Sequence, residues 1–142
     1  IECFGYGSYD KFDSIKNQKK LYNISFKKFD INLKHKIKNY DLMLHLSKRE
    51  GLPVAIMQSL SEGLPVICYN IRGNNDLIKD KFNGYFVKSY KDVQNKIFYL
   101  NLNENIFSEM RLNAFKTINK DFSAKKINLK LYKIIKNYSK QH

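Results

Sequence analysis

The pentapeptide Glu-Gly-Leu-Pro-Val occurs twice, at residues 50–54 and again at 62–66, and the flanks give the two copies opposite tasks. The first copy follows Asp41-Leu42-Met43-Leu44-His45-Leu46, an apolar run bounded by polar residues and too short for a helix, which reads as a buried strand. Pro53 then sits near the first position of a helix, where its missing N–H costs nothing. That helix runs to about Ser61 and stops at Gly63, and Pro65 to Tyr69 forms the next buried strand. A strand, a helix and a strand in this order predict a parallel sheet flanked by helices, an α/β fold of Rossmann-like type.

The remaining segments extend the same alternation. Ile1 to Gly7 reads as a short strand running into a glycine turn, Ser8 to Lys20 as a helix, Asn23 to Phe26 as a second strand and Ile31 to Asn39 as a helix. Asn83-Gly84 predicts a turn before a short strand, Tyr85 to Val87. The tail is helical over Lys91 to Leu100, Glu104 to Asn119 and a last segment capped by Ser123. In that last helix Ile127, Leu131, Ile134 and Tyr138 recur at helical spacing with Lys125, Lys126, Lys130, Lys133 and Lys136 between them, so one face should pack on a partner surface. No Pro/Gly/Ser linker divides the 142 residues, which are expected to form one domain.

An apolar content of 43% excludes a disordered chain, and no run approaches the roughly 18 apolar residues of a spanning helix. No basic segment followed by an apolar run opens the sequence, so a soluble chain without a secretion signal is expected. Cys3 and Cys68 lie in apolar runs without partners at metal-ligand spacing, which predicts buried free thiols, a reducing cytoplasmic setting and no metal site. The net charge of +13 invites a nucleic-acid reading. Its distribution opposes one: only Arg49, Arg72 and Arg111 of the 26 basic residues are arginines, and the lysines are scattered along the whole length. A membrane-surface module, with the lysine-rich last helix lying on anionic headgroups, is a second non-catalytic alternative.

A loop at the carboxyl end of a parallel strand that feeds a helix N-terminus is where open α/β sheets bind ligands, and residues 47–54 occupy that place. Gly51 lets a ligand approach the backbone. The free N–H groups of Gly51, Leu52 and Val54, on either side of Pro53, would face a pyrophosphate, with the positive end of the helix dipole behind them. Glu50, an acceptor only when ionised, suits sugar hydroxyls. The same residues would also make an ordinary surface turn. His45, in an apolar strand with no second ligand at metal spacing, reads as a core histidine.

The segment from Asp41 to Ile67, followed by Asn70-Ile71-Arg72-Gly73-Asn74 and Asn83-Gly84, resembles the C-terminal domain of the family 4 retaining glycosyltransferases of GT-B fold. The resemblance covers most of the chain and is strongest from Asp41 to Val87. It implies a partial C-terminal domain over residues 1–142, with a donor-binding core at about 1–100 and C-terminal helices at about 104–140. It also implies transfer of a sugar, with retention, from a nucleotide-diphosphate donor to a polysaccharide or lipid-linked acceptor, without a cofactor or a required metal. In that family two glutamates stand eight positions apart, one implicated in donor-sugar binding and one contacting the ribose. Glu50 matches the first, whereas the second position is Gln58 here, which keeps hydrogen-bonding capacity but no charge. Gly5 and Gly7 resemble the family's Gly-x-Gly turn, and Arg72-Gly73-Asn74 resembles a loop next to the donor site in one branch, where Arg72 would face a phosphate or the other domain, or else be an ordinary solvated loop arginine. Ile1 matches the start of the family's second strand, so the first strand and the acceptor-binding N-terminal domain are expected elsewhere. By itself this chain is then expected to be inactive.

Overall fold

Residues 1–5, 23–28 and 30–139 are described by the structure, a computed structural model. The helix expected over Ser8 to Lys20 and the glycine at 7 lie outside these residues. The chain divides into two compact units, residues 1–36 and 37–142.

In the first unit β1 (Glu2–Gly5) pairs in parallel with β2 (Ser25–Lys28), Cys3 opposite Phe26. The second strand begins two residues later than the sequence suggests. The amino group of Ile1 donates to the carbonyl of Asn23 at 2.7 Å and Ser25 N donates to the carbonyl of Ile1 at 2.9 Å, so residues 23–24 are used in the connection. Helix α1 (Leu33–Lys36) ends this unit; the helix expected across Ile31 to Asn39 tightens into a 3-10 turn at Ile37–Asn39.

The second unit holds β3 (Met43–His45), α2 (Val54–Ser61), β4 (Val66–Tyr69), α3 (Asn74–Leu77), β5 (Gly84–Val87), α4 (Tyr90–Leu102), α5 (Glu104–Asp121) and α6 (Ala124–Tyr138). The strands form one parallel sheet in the order β3-β4-β5, with Leu44 opposite Ile67 and Ile67 opposite Tyr85. The parallel α/β architecture is thus as expected.

Side chains of β4 alternate between the two faces of its sheet, as the period of a strand requires. Val66 and Cys68 pack with Ile56 and Leu60 of α2, Leu77, Ile78 and Ala114. Ile67 packs with Tyr85 and Val87 of β5, Val93 and Leu100 of α4, and Met110 of α5. Each face therefore has its own core, and truncating a fully buried residue such as Ile56 or Leu60 to Ala costs about 2–5 kcal/mol. Burial also pushes the Cys68 thiol up to about 12, which keeps it protonated and inert.

Both copies of the pentapeptide do the work read from their flanks, with one correction. Pro53 is the N-cap of α2 (φ −73°, ψ 107°), one position before the expected N1, and its carbonyl accepts from Ile56 N at 3.1 Å and Met57 N at 3.2 Å. Gly63, at φ +74°, ends the helix. Asn83-Gly84 departs further from its reading as a turn. Gly84 already belongs to β5, where a Cβ would lie 2.1 Å from the carbonyl oxygen of Val66, and the positive φ of the turn falls on Lys81 (φ 64°). Asn83 is fully buried.

Candidate functional site

Strand β3 stops at His45 because the chain turns out of the sheet into a loop that returns at Pro53 as the N-cap of α2. This loop lies at the carboxyl end of a parallel strand, the ligand position of open α/β sheets. The amides of Gly51, Leu52, Val54 and Ala55 make no hydrogen bond among the described residues, and the first turn of α2 carries no acidic side chain. The positive end of the helix is left open to an anion.

Glu50 sits at the edge of these amides, and its Oε1 lies 3.0 Å from His45 Nε2. Both side chains are partly covered, His45 at 14% and Glu50 at 25% exposure, so the carboxylate is held in place while one side remains open. The sequence reading of His45 as a satisfied core residue missed this partnership. A pair five residues apart across a loop follows no periodicity that a sequence displays.

Gly51 itself has open space where a Cβ would stand and no positive φ, so the fold makes no demand for glycine there. The open space at Gly51 leaves room for close approach to the backbone. Gly73 is the opposite case. It is buried at φ +86°, and a Cβ would fall 1.9 Å from the carbonyl oxygen of Gly51 and 3.4 Å from Cδ of Pro53. The loop carrying Arg72 is therefore seated directly against the loop carrying Glu50. Arg72 is exposed and has no ion-pair partner among the described residues. Asn74 anchors the second loop by donating from Nδ2 to the Tyr69 carbonyl at 2.9 Å.

Of the other expected site residues, Leu52 and Val54 are exposed and Pro53 is buried beneath them. Gln58 is exposed on α2 one turn after Val54, with its side-chain amide free of partners among the described residues. Gly5 closes β1 in the first unit, and Gly7 lies outside the described residues. A cavity of about 440 Å³, lined by Lys48, Tyr69, Ile71, Lys88, Ser89 and Tyr90, opens at the carboxyl ends of β3, β4 and β5; the sequence reading gave no hint of it.

Comparison with known proteins agrees with this geometry. Residues 5–121 match the family model described as glycosyl transferases group 1. A 52-residue stretch is 42% identical to the UDP-Gal:alpha-D-GlcNAc-diphosphoundecaprenol alpha-1,3-galactosyltransferase of Escherichia coli, covering 37% of this chain and 13% of that protein. Among solved structures, S. aureus TarM in a complex with UDP superposes with a TM-score of 0.82 at 24% identity over 93% of this chain and 28% of that one. The pneumococcal O-GlcNAc transferase GtfA in complex with UDP and GlcNAc gives a TM-score of 0.77 at 26% identity, over 96% and 29%. The chain thus spans less than a third of the length of each of these proteins. It belongs to the group 1 glycosyl transferases, with the fold of the C-terminal domain of a GT-B enzyme.

Proposed function

We propose that this chain supplies the donor-binding half of an enzyme that moves a sugar, with retention, from a nucleotide-diphosphate donor to a polysaccharide or lipid-linked acceptor. The observation that carries the reading is the unpaired amide cluster at the start of α2, with the Glu50 carboxylate fixed beside it by His45. The amides and helix dipole would take the diphosphate and stabilise the charge that develops as it leaves, without a required metal ion. Arg72, on the loop that Gly73 seats against this one, adds a cation of the right sign. Glu50 positions the sugar hydroxyls and does not attack, and Gln58 offers its amide to a ribose hydroxyl. The acceptor class follows the name of the E. coli relative, whose acceptor is a sugar on a diphosphate lipid. Such an acceptor places the reaction at the cytoplasmic face of a membrane. The chain contains no helix, among the described residues, that is long and apolar enough to cross one.

Peripheral contact through α6 suits that acceptor. Ile127, Leu131, Ile134, Ile135 and Tyr138 are each 47–67% exposed, and α6 carries five lysines and no acidic residue, a complement to anionic headgroups. Because this chain spans so little of its relatives, it is expected to bind donor weakly and to transfer nothing alone. The test is a thermal-shift screen of the intact protein against a panel of nucleotide sugars. A ligand at about 100 times its dissociation constant adds about 2.7 kcal/mol of stability, so the matching donor raises Tm by several degrees. A panel without any shift at millimolar ligand would reject the donor site.

A further inference from the structure

The cavity at the ends of β3, β4 and β5 shares Lys48 with the loop after β3, but none of Glu50, Gly51, Leu52, Pro53, Val54 or Gln58 lines it. Its volume of about 440 Å³ falls within the roughly 300–1,000 Å³ typical of small-molecule sites. Two lysines, Lys48 and Lys88, bring positive charge to its wall, and no carboxylate does. Asp92, at the start of α4, is already engaged: its carboxylate accepts from Lys88 N at 3.0 Å, and this bond, the bond from the Ser89 hydroxyl and the nearby Lys88 ammonium hold its pKa below the usual carboxylate range. That arrangement caps the start of α4; neither Lys48 nor Lys88 has an ion pair within 4 Å among the described residues, although Lys88 feels the Asp92 charge.

Tyr69, Ile71 and Tyr90 supply the apolar part of the lining, with Tyr90 72% exposed. Lysines beside tyrosine rings form a surface suited to a phosphorylated sugar, the ammonium groups meeting phosphate oxygens and the rings covering the sugar's C–H face. The cavity is continuous in sequence with the donor site on two loops: Lys48 lies two residues before Glu50, and Ile71 one residue before Arg72. A transfer reaction needs a second substrate held next to the donor sugar.

We propose that this cavity adds, to the contacts of the acceptor-binding N-terminal domain, a seat for the diphosphate and adjoining sugar of a diphosphate-linked glycan acceptor, with Lys48 and Lys88 binding the phosphates and Tyr69 and Tyr90 the sugar. The proposal rests on the transferase reading, and its test separates the two. Inorganic pyrophosphate is titrated into the intact protein in the presence of saturating UDP, which fills the donor site, and the titration is repeated with the double variant Lys48→Gln/Lys88→Gln. Pyrophosphate is expected to bind alongside UDP and to weaken at least tenfold in the double variant, whose Tm stays that of the wild type because both lysines are exposed. Pyrophosphate that UDP displaces completely, or that binds the double variant as well as the wild type, would overturn the assignment. Absence of UDP binding would reject the donor reading instead, and the lysine dependence of pyrophosphate binding would still decide the cavity. In steady-state transfer assays the double variant should raise the KM for a diphosphate-linked acceptor at least tenfold with the donor KM within twofold. A rise in donor KM alone assigns the cavity to the donor and overturns the proposal.

Discussion

Gly51 and Gly73 touch, yet they are glycine for opposite reasons, and this contrast gives the residue-scale account its sharpest consequence. Gly73 adopts a left-handed φ and would drive a Cβ into the Gly51 carbonyl, whereas a Cβ on Gly51 meets no protein atom. Gly73→Ala should therefore destabilise the protein by about 3 kcal/mol, lowering Tm by roughly 10 °C. Gly51→Ala should leave Tm within about 2 °C of wild type while weakening nucleotide-sugar affinity about tenfold, from the loss of close backbone approach. Differential scanning fluorimetry and calorimetric titration read the two effects, and the reverse pattern would contradict the assignment of Gly51 to the ligand. The sequence singled out Glu50 and Gly51 as candidates because a strand end, a glycine and a helix start are local signals, and Gln58 entered only through the family resemblance. It did not identify the His45 contact or the clamp at Gly73, since both are made across loops whose path only the folded chain defines.

At the scale of elements, α2 was legible because Pro53 and Gly63 punctuate it on both sides, and β4 because an apolar run sits between turn residues. Strand edges moved by one or two residues, which is the ordinary uncertainty of hydrogen-bonded ends. Two features were hidden. Helix α3, of four residues, is too short to show a period. Asn83 is more instructive, because its turn-like dipeptide conceals a buried peg. Its Oδ1 accepts from Lys79 N at 2.8 Å, and its Nδ2 donates to the Leu77 carbonyl and to Thr117 Oγ1, both at 3.0 Å, which ties the entry to β5 to helix α5. Asn83→Ala leaves these buried groups unsatisfied and should cost about 3 kcal/mol, measured by urea unfolding. Thr117→Ser, which keeps the hydroxyl, should cost about 1 kcal/mol or less, and an equal loss in the two variants would mean that the network is not what Asn83 supplies.

For the whole molecule, part of the net charge of +13 is carried by α6, where, among the described residues, five lysines flank an exposed apolar face. Ile134 is 65% exposed there, so Ile134→Ser should change stability by less than about 0.5 kcal/mol. The same change should reduce flotation of the intact protein with vesicles containing anionic lipid, and undiminished flotation would remove α6 from the membrane account. The parallel α/β class was readable from the alternation of elements, whereas the partner of each strand was not, because strand partnership is a long-range property that local pattern does not encode.

The account as a whole turns on Glu50, held at the mouth of the α2 amides by His45. The most direct measurement is donor-to-acceptor transfer by the intact enzyme carrying Glu50→Ala, alongside His45→Ala and His45→Gln. Glu50→Ala should lower kcat/KM at least a hundredfold, equivalent to about 2.7 kcal/mol of transition-state stabilisation, with an unchanged Tm. His45→Ala should cost about tenfold, and His45→Gln, which can still donate a hydrogen bond to the carboxylate, should recover part of that loss. Wild-type turnover by Glu50→Ala would contradict the central claim that this carboxylate positions the transferred sugar.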